Sequence, residues 1–348
     1  MIGAQIQINF METIRKTLAA LCALLFIISG IVALLAFNIE WYAFNSTAYK
    51  QAFERQNLYA RTPEILANAL YSYILGSQNT DRYLQELTLE EWQGTIASVV
   101  PPVELKLLTD SALDSVFDYL NDRTNSVQIS LLPIKQRLTG PAGVEVVQKI
   151  LQAQPDCTAE QLLQIGMGFL SGDIGLCNPP PELIGFMNPF IESQLQLITF
   201  SIPNEITLIS STPGDGDPRA RLRQVRTIMN LTPVFPVFFL FCLTIFAVRS
   251  LMDWLQWWGY PFLLTGGVSV LIALMGTPLV GILVQSILEF YGSGLIPPIL
   301  FSAIREAISA VTGEILRPVF YESLILAGVG FSMVLTSLFI VYRRNQRV

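Results

Sequence analysis

The segment PRARLRQVRTIMNLTPVFPVFFLFCLTIFAV, residues 218–248, sets Arg219, Arg221, Arg223 and Arg226 directly before an uncharged apolar run. That run reaches the length of about 20 residues needed to cross about 30 Å of hydrocarbon. Basic residues beside such a run ordinarily mark the cytoplasmic side of a membrane. The placement of these arginines therefore decides where the long stretch before them resides, and with it the architecture of the chain.

The segment is one of four. Residues 17–38, 227–248, 260–288 and 323–342 are all apolar and free of charge. The chain of 348 residues is 52% hydrophobic and only 14% charged, against about 25% charged for ordinary soluble domains. Aromatic residues flank the runs where an interfacial belt would lie: Trp41 and Tyr42, Trp254, Trp257, Trp258 and Tyr260, then Phe320, Tyr321 and Tyr342. The fold class expected is a mainly α membrane protein, with four transmembrane helices and a mostly helical α+β extracytoplasmic domain between the first two. The first run follows Arg15 and Lys16. It is longer than the apolar core of a signal peptide and lacks a small-residue cleavage pattern, so it reads as an uncleaved anchor.

Four passes put the tails, residues 1–16 and 343–348, on one side with the short loop 249–259. Residues 39–226 and the loop 289–322 then share the other side. Basic residues near the spans number six on the first side and eight on the second. The positive-inside rule applies to short loops, however, because long domains cross largely regardless of charge. Without the long loop the count is six against two, so both termini are expected in the cytoplasm and residues 39–226 outside. Cysteine usage points the same way. Cys22 and Cys242 lie within spans, while Cys157 and Cys177 fall in the long loop. There they could close a disulfide in an oxidising compartment.

Residues 40–218 hold 21 Asp/Glu against 9 Lys/Arg, a net charge of −12, which argues against nucleic acid as a partner. Thr62-Pro63 and Thr88 with Glu91 are helix-start signals, and Pro101-Pro102 opens a further amphipathic helix. The alternating runs VQISLL and EITLIS read as short strands that could pair as a small sheet. SSTPGDGDP has linker composition. Its Asp215-Gly-Asp217 core lacks the further oxygens of a calcium loop, so no metal is expected.

Asp110, Asp114, Asp118 and Asp122 recur at every fourth position and would form one acidic stripe on a helix. Like charges at that spacing repel mildly. Arg219, Arg223 and Arg226, also close to one helical face, are candidates to dock on the stripe. In the third span Thr265, Ser269, Ala273, Thr277 and Gly281 form a small-residue stripe, and Gly328, Ser332 and Thr336 repeat it in the fourth. Such stripes permit close helix packing. Packing of the third span against the fourth is the direct reading, and a homo-oligomer is the alternative. FSAIREAISAVTGEILRP, residues 301–318, reads as an amphipathic helix lying on the outer leaflet or under the domain.

The chain has no histidine. That removes histidine-based acid–base chemistry, serine and cysteine triads and histidine-ligated zinc. No glycine-rich phosphate loop is present and no pair of carboxylates stands out, so neither catalytic residues nor a cofactor are expected. The spans carry no ionisable side chain of the kind that ion pathways need.

The motifs PPVELKLLTDSALDSVFDYLN, PDCTAEQLLQ with a second cysteine before NPPPEL, and VRSLMDWLQWWGYPFLLTG resemble a group of uncharacterised bacterial four-pass membrane proteins. These carry a large extracytoplasmic loop and have no established activity. In layout the chain is also similar to permease subunits of mechanotransmitting ABC exporters. It departs from them in its short aromatic loop RSLMDWLQWWGY and in its longer second outer loop. Three functions follow as expectations. The first is a non-enzymatic membrane protein whose outer domain binds a partner protein or envelope component. The others are a permease-like subunit and a carboxylate-based envelope hydrolase.

Overall fold

The structure, a computed structural model, describes residues 2–76, 87–166, 177–210, 217, 219–292 and 298–346. It divides into two compact units. The first comprises residues 1–52, 213–284 and 308–348, and the second residues 53–212 and 285–307.

Four helices are long and apolar enough to cross a membrane, over Glu12–Ala43, Arg219–Ala247, Leu251–Leu288 and Leu300–Asn345. The first belongs to α1 (Ile2–Ala43). It packs on the second, where Ala19, Leu243 and Ala247 are buried together with Trp257 and Trp258 against them. The second crossing is built from two helices, α10 (Arg219–Leu231) and α11 (Val234–Ala247). The break falls at Thr232-Pro233, because proline has no N–H to continue the ladder. Thr232 closes the end of α10 instead, its hydroxyl donating to the Met229 carbonyl at 2.6 Å. The arginine segment is thus itself helical and leads into the crossing.

Two expected loops prove to be largely helix. Residues 249–259 were read as a loop, yet α12 (Leu251–Gly292) begins two residues after Arg249. Ser250 caps it, its hydroxyl accepting the Asp253 N–H at 3.1 Å. Residues 289–322 were read as a loop with a separate amphipathic helix. From Pro298 onward they are the first half of α13 (Pro298–Asn345), continuous with the last crossing. Pro298 sits where a helix tolerates proline, at its start, and Pro318 lies inside without ending it.

The small residues of α12 and α13 let their backbones meet. A side chain at Gly266 would lie 2.4 Å from the Ala327 nitrogen, and one at Gly330 would lie 2.4 Å from the Leu263 nitrogen. The seam continues with Gly276 against Leu316 and Gly281 against Ser309. A side chain at Gly30 of α1 would meet Thr265 at 2.9 Å.

The second unit is helical around two apolar clusters. Ala67 and Ile74 of α3 (Leu58–Gly76), Leu87, and Trp92 of α4 (Leu89–Val99) form one. Val144 and Leu151 of α7 (Pro141–Gln152) with Met187 and Ile191 of α9 (Pro181–Phe200) form the other. The start signal at Thr88 operates as read: Thr88 and Glu91 make a reciprocal capping box. The strands β1 (Ser126–Ser130) and β2 (Glu205–Ser210) pair antiparallel, with an irregularity at Val127/Gln128. There the Gln128 N–H turns to the Ser115 hydroxyl, 2.9 Å away on α5 (Pro102–Leu120). Val127 is buried on one side, whereas all six residues of β2 are exposed. The remaining helices among the described residues are α2 (Ser46–Arg55), α6 (Leu132–Leu138) and α8 (Ala159–Gly166).

Candidate functional site

In the first unit polar side chains tie the end of α1 to α10 and to α13. Glu40 is buried near the end of α1 and receives the Arg226 guanidinium in a two-pronged ion pair. Arg226 Nε lies 2.9 and 3.0 Å from the two carboxylate oxygens, and Nη2 lies 2.8 Å from Oε1. The guanidinium also covers the Phe44 ring at 4.5 Å, a cation–π contact. Two residues before Glu40, the buried Asn38 amide donates to the Leu34 carbonyl at 2.9 Å and to Glu322 of α13 at 2.7 Å. Arg219, at the start of α10, is almost wholly buried against Asp217, with Nε at 3.0 and 3.1 Å from the carboxylate oxygens. That guanidinium and the Arg219 backbone N–H hold the Asp217 carboxyl below its ordinary value.

These contacts form a belt of polar groups beside the apolar helices, of which Asn38, Glu40 and Arg219 are buried. Sequence reasoning named Arg219 and Arg226 but missed Glu40, Asn38, Asp217 and Glu322. Glu40 and Glu322 are the acids nearest the ends of the first and fourth apolar runs, which was the one available signal.

The acidic stripe is real over only part of its length. Asp110, Asp114 and Asp118 lie along α5, but Asp122 falls beyond its end with φ 59°. The residue has left the helix for the left-handed region, so it no longer extends the row. Asp110 accepts the Tyr59 hydroxyl at 2.9 Å, and Asp118 pairs with Arg123 at 3.1 Å. Burial, and then the bond to Asp110, push the Tyr59 hydroxyl above its ordinary value. Elsewhere in the unit Arg61 pairs with Glu306 at 2.6 Å, Lys106 pairs with Glu54, and Lys135 donates to the Ile202 carbonyl and to Asn204.

The two cysteines of the long loop form a disulfide, with Cα atoms 4.9 Å apart and a sequence separation of 20. Asn178 locks its base. Its carbonyl accepts the Cys157 N–H at 3.0 Å, its N–H donates to Pro155, and its side chain donates to Asp156. A cleft of ≈ 570 Å³ beside it is lined by Gln152, Asp156, Asn178, Pro180 and Ile184. Asp215 and most of its linker lie outside the described residues, and among the described residues no acid or cysteine cluster is arranged to hold a metal ion.

The small-residue stripe of α12 does face its neighbours. Thr265 and Ser269 are fully buried, Ala273 is nearly so, and Thr277 stands beside Gly313. The matching stripe on α13 does not. Ser332 and Thr336 are exposed, and nothing lies within 4 Å of a side chain built at Gly328. Gly330, two residues along, makes the contact instead. Two residues turn a helix by about 200°, so Gly328 and Gly330 lie on opposite faces.

The second unit carries an exposed apolar surface around β2. Phe200, at the end of α9, is 87% exposed, Leu197 is 66% exposed and Leu208 is 57% exposed, with Ile206 and Ile209 beside it. No family model, curated protein or solved structure matches the chain.

Proposed function

We propose that this chain is a non-enzymatic integral membrane protein. Its termini lie in the cytoplasm, and residues 39–226 form an extracytoplasmic domain that binds a partner protein or envelope component. The observation carrying this reading is the exposure of β2. Among the described residues it pairs on one edge only, with β1. Edge strands are normally blunted by lysine, proline or a covering element. EITLIS has no lysine or proline, and its single charge, Glu205, stands at one end. Ile206 and Ile209 stand opposite Ile129 and Val127 on one face, and Leu208 is the extra residue at the irregularity. Such an edge suits an extended segment that adds a strand, with main-chain hydrogen bonds giving affinity and side chains giving selectivity. The Cys157–Cys177 disulfide supports exposure to an oxidising compartment.

The test is a photo-crosslinking residue at Thr207 of the full chain in native membranes. A discrete adduct to one protein or envelope polymer, reduced about tenfold by Leu208→Lys, is the expected result. No adduct, or one indifferent to Leu208→Lys, contradicts the proposal.

A further inference from the structure

Where the first crossing begins, α1 holds a guanidinium without an acid. Arg15 is half-buried, its Nε is shielded from solvent, and that nitrogen has no hydrogen-bond partner. Its neighbour Lys16 is different: it is exposed and pairs with Glu12 at 2.8 Å. Arg15 stands one turn before Ala19, which is buried with Leu243 and Ala247 of α11, and Trp257 and Trp258 of α12 pack on the same cluster. Residues four apart share a helix face, so Arg15 lies on the packed face of α1, as its covered Nε shows.

A second cation stands at the same level. The first two crossings run antiparallel, since Ala19 meets the Ala247 end of α11 while Glu40 meets Arg226 of α10. The turn before Ala19 is therefore level with the residues that follow Ala247, namely Val248, Arg249 and Ser250. Arg249 is exposed in the bend before α12. Four crossings return the last tail to this end, so residues 1–16, 249–259 and 343–348 together hold six Lys/Arg. The acids there are Glu12 and Asp253, and among the described residues neither pairs with Arg15 or Arg249. A half-buried cation without a counterion keeps its desolvation cost, and the surrounding positive field draws an anion to it.

We propose that this joint binds the phosphate of an anionic phospholipid, with Arg15 and Arg249 as its two cationic contacts. The inference rests on reading these helices as membrane crossings. A guanidinium offers phosphate a planar fork of parallel N–H donors, and clusters of Lys and Arg at the ends of crossings are a physical basis for headgroup recognition. The depth is right: the uncharged run of α1 begins at Thr17, directly after Arg15 and Lys16, and the headgroup layer borders the hydrocarbon. Deeper along α1, Leu18 and Leu21 are 39% and 50% exposed. An acyl chain joined to the phosphate has that apolar surface to follow, whereas a free phosphate ion gains nothing from it.

The test is native mass spectrometry of the full chain in detergent micelles, titrated with phosphatidylglycerol, phosphatidylcholine or inorganic phosphate. Phosphatidylglycerol should give a one-lipid adduct at least about tenfold tighter than phosphatidylcholine does. Arg15→Gln and Arg249→Gln should each weaken it about tenfold. Lys16→Gln removes the same charge one residue away, and should change it by less than about twofold. Arg15→Lys keeps the charge that orients the chain, and should still weaken the adduct about threefold because an ammonium lacks the fork. An adduct indifferent to Arg15→Gln and Arg249→Gln, or weakened equally by Lys16→Gln, overturns the proposal. So does binding of inorganic phosphate as tight as that of the lipid, which would make the site one for a free anion. Alkaline extraction of native membranes reads the crossings separately. A chain that stays in the membrane but forms no adduct overturns this inference alone, and a chain that is released overturns both readings.

Discussion

Arg226→Met tests the polar belt most severely. The substitution removes the guanidinium but leaves Glu40, which is 7% exposed, without its ion-pair partner. Asn230, at 3.5 Å, is too distant to compensate. Breaking one side of a buried pair costs about 3–5 kcal/mol. The Arg226 side chain is itself 21% exposed, so the lower end applies. We expect a loss of about 3 kcal/mol, roughly a hundredfold in the folding equilibrium. Glu40→Leu combined with Arg226→Met removes both charges and should recover all but about 1 kcal/mol. Surfactant-induced unfolding of the full chain in micelles, followed by tryptophan fluorescence, provides the measurement. A double variant as unstable as the sum of the two singles would refute the reasoning, since the pair would then be uncoupled.

Other outcomes follow from the same contacts. Gly330→Leu should abolish α12–α13 packing, because its side chain would strike the α12 backbone. Gly328→Leu should leave stability within about 0.5 kcal/mol; protease resistance in micelles separates the two. Replacing Cys157 and Cys177 by serine should cost about 3 kcal/mol, as expected for a bridge closing a loop of this length, read as a lower melting temperature of residues 53–212 in the full chain. Asp217, with its carboxyl held low by Arg219, contributes stability that is complete above the ordinary carboxylate range. That contribution is lost as pH falls through the depressed value. Acid titration of stability should therefore be flatter in Asp217→Asn. Tyr59, held high, contributes stability that is complete below the usual tyrosine range and lost as pH rises through the elevated value. Tyr59→Phe should remove that alkaline limb and cost about 1 kcal/mol at neutral pH.

The apolar helices, the Thr88 capping box, the strand pairing and the disulfide were legible because each is written in local pattern: run length, a four-residue signature, alternation, or two cysteines in one loop. What escaped reading depends on the third dimension. Residues 249–259 were assigned to a loop, and 289–322 to a loop holding a separate amphipathic helix, because charged and aromatic residues interrupt hydrophobicity, but helical hydrogen bonding is indifferent to that interruption. Gly328 was preferred to Gly330 because fours were counted strictly, whereas a helix turns once in about 3.6 residues and a real seam mixes threes with fours. Glu40 and Arg226 stand 186 residues apart, so neither residue's neighbourhood names the other. The Tyr59 partner of Asp110, 51 residues away, was hidden for the same reason.

The sidedness of the chain is the claim on which the account depends. It is tested most directly by labelling single cysteines with a membrane-impermeant maleimide in intact cells, with Cys22 and Cys242 replaced by alanine. Ser193→Cys, exposed on α9, should react before lysis, and Gln346→Cys, in the tail after α13, only afterwards. The opposite pattern, with Gln346→Cys labelled in intact cells and Ser193→Cys protected, would contradict the account.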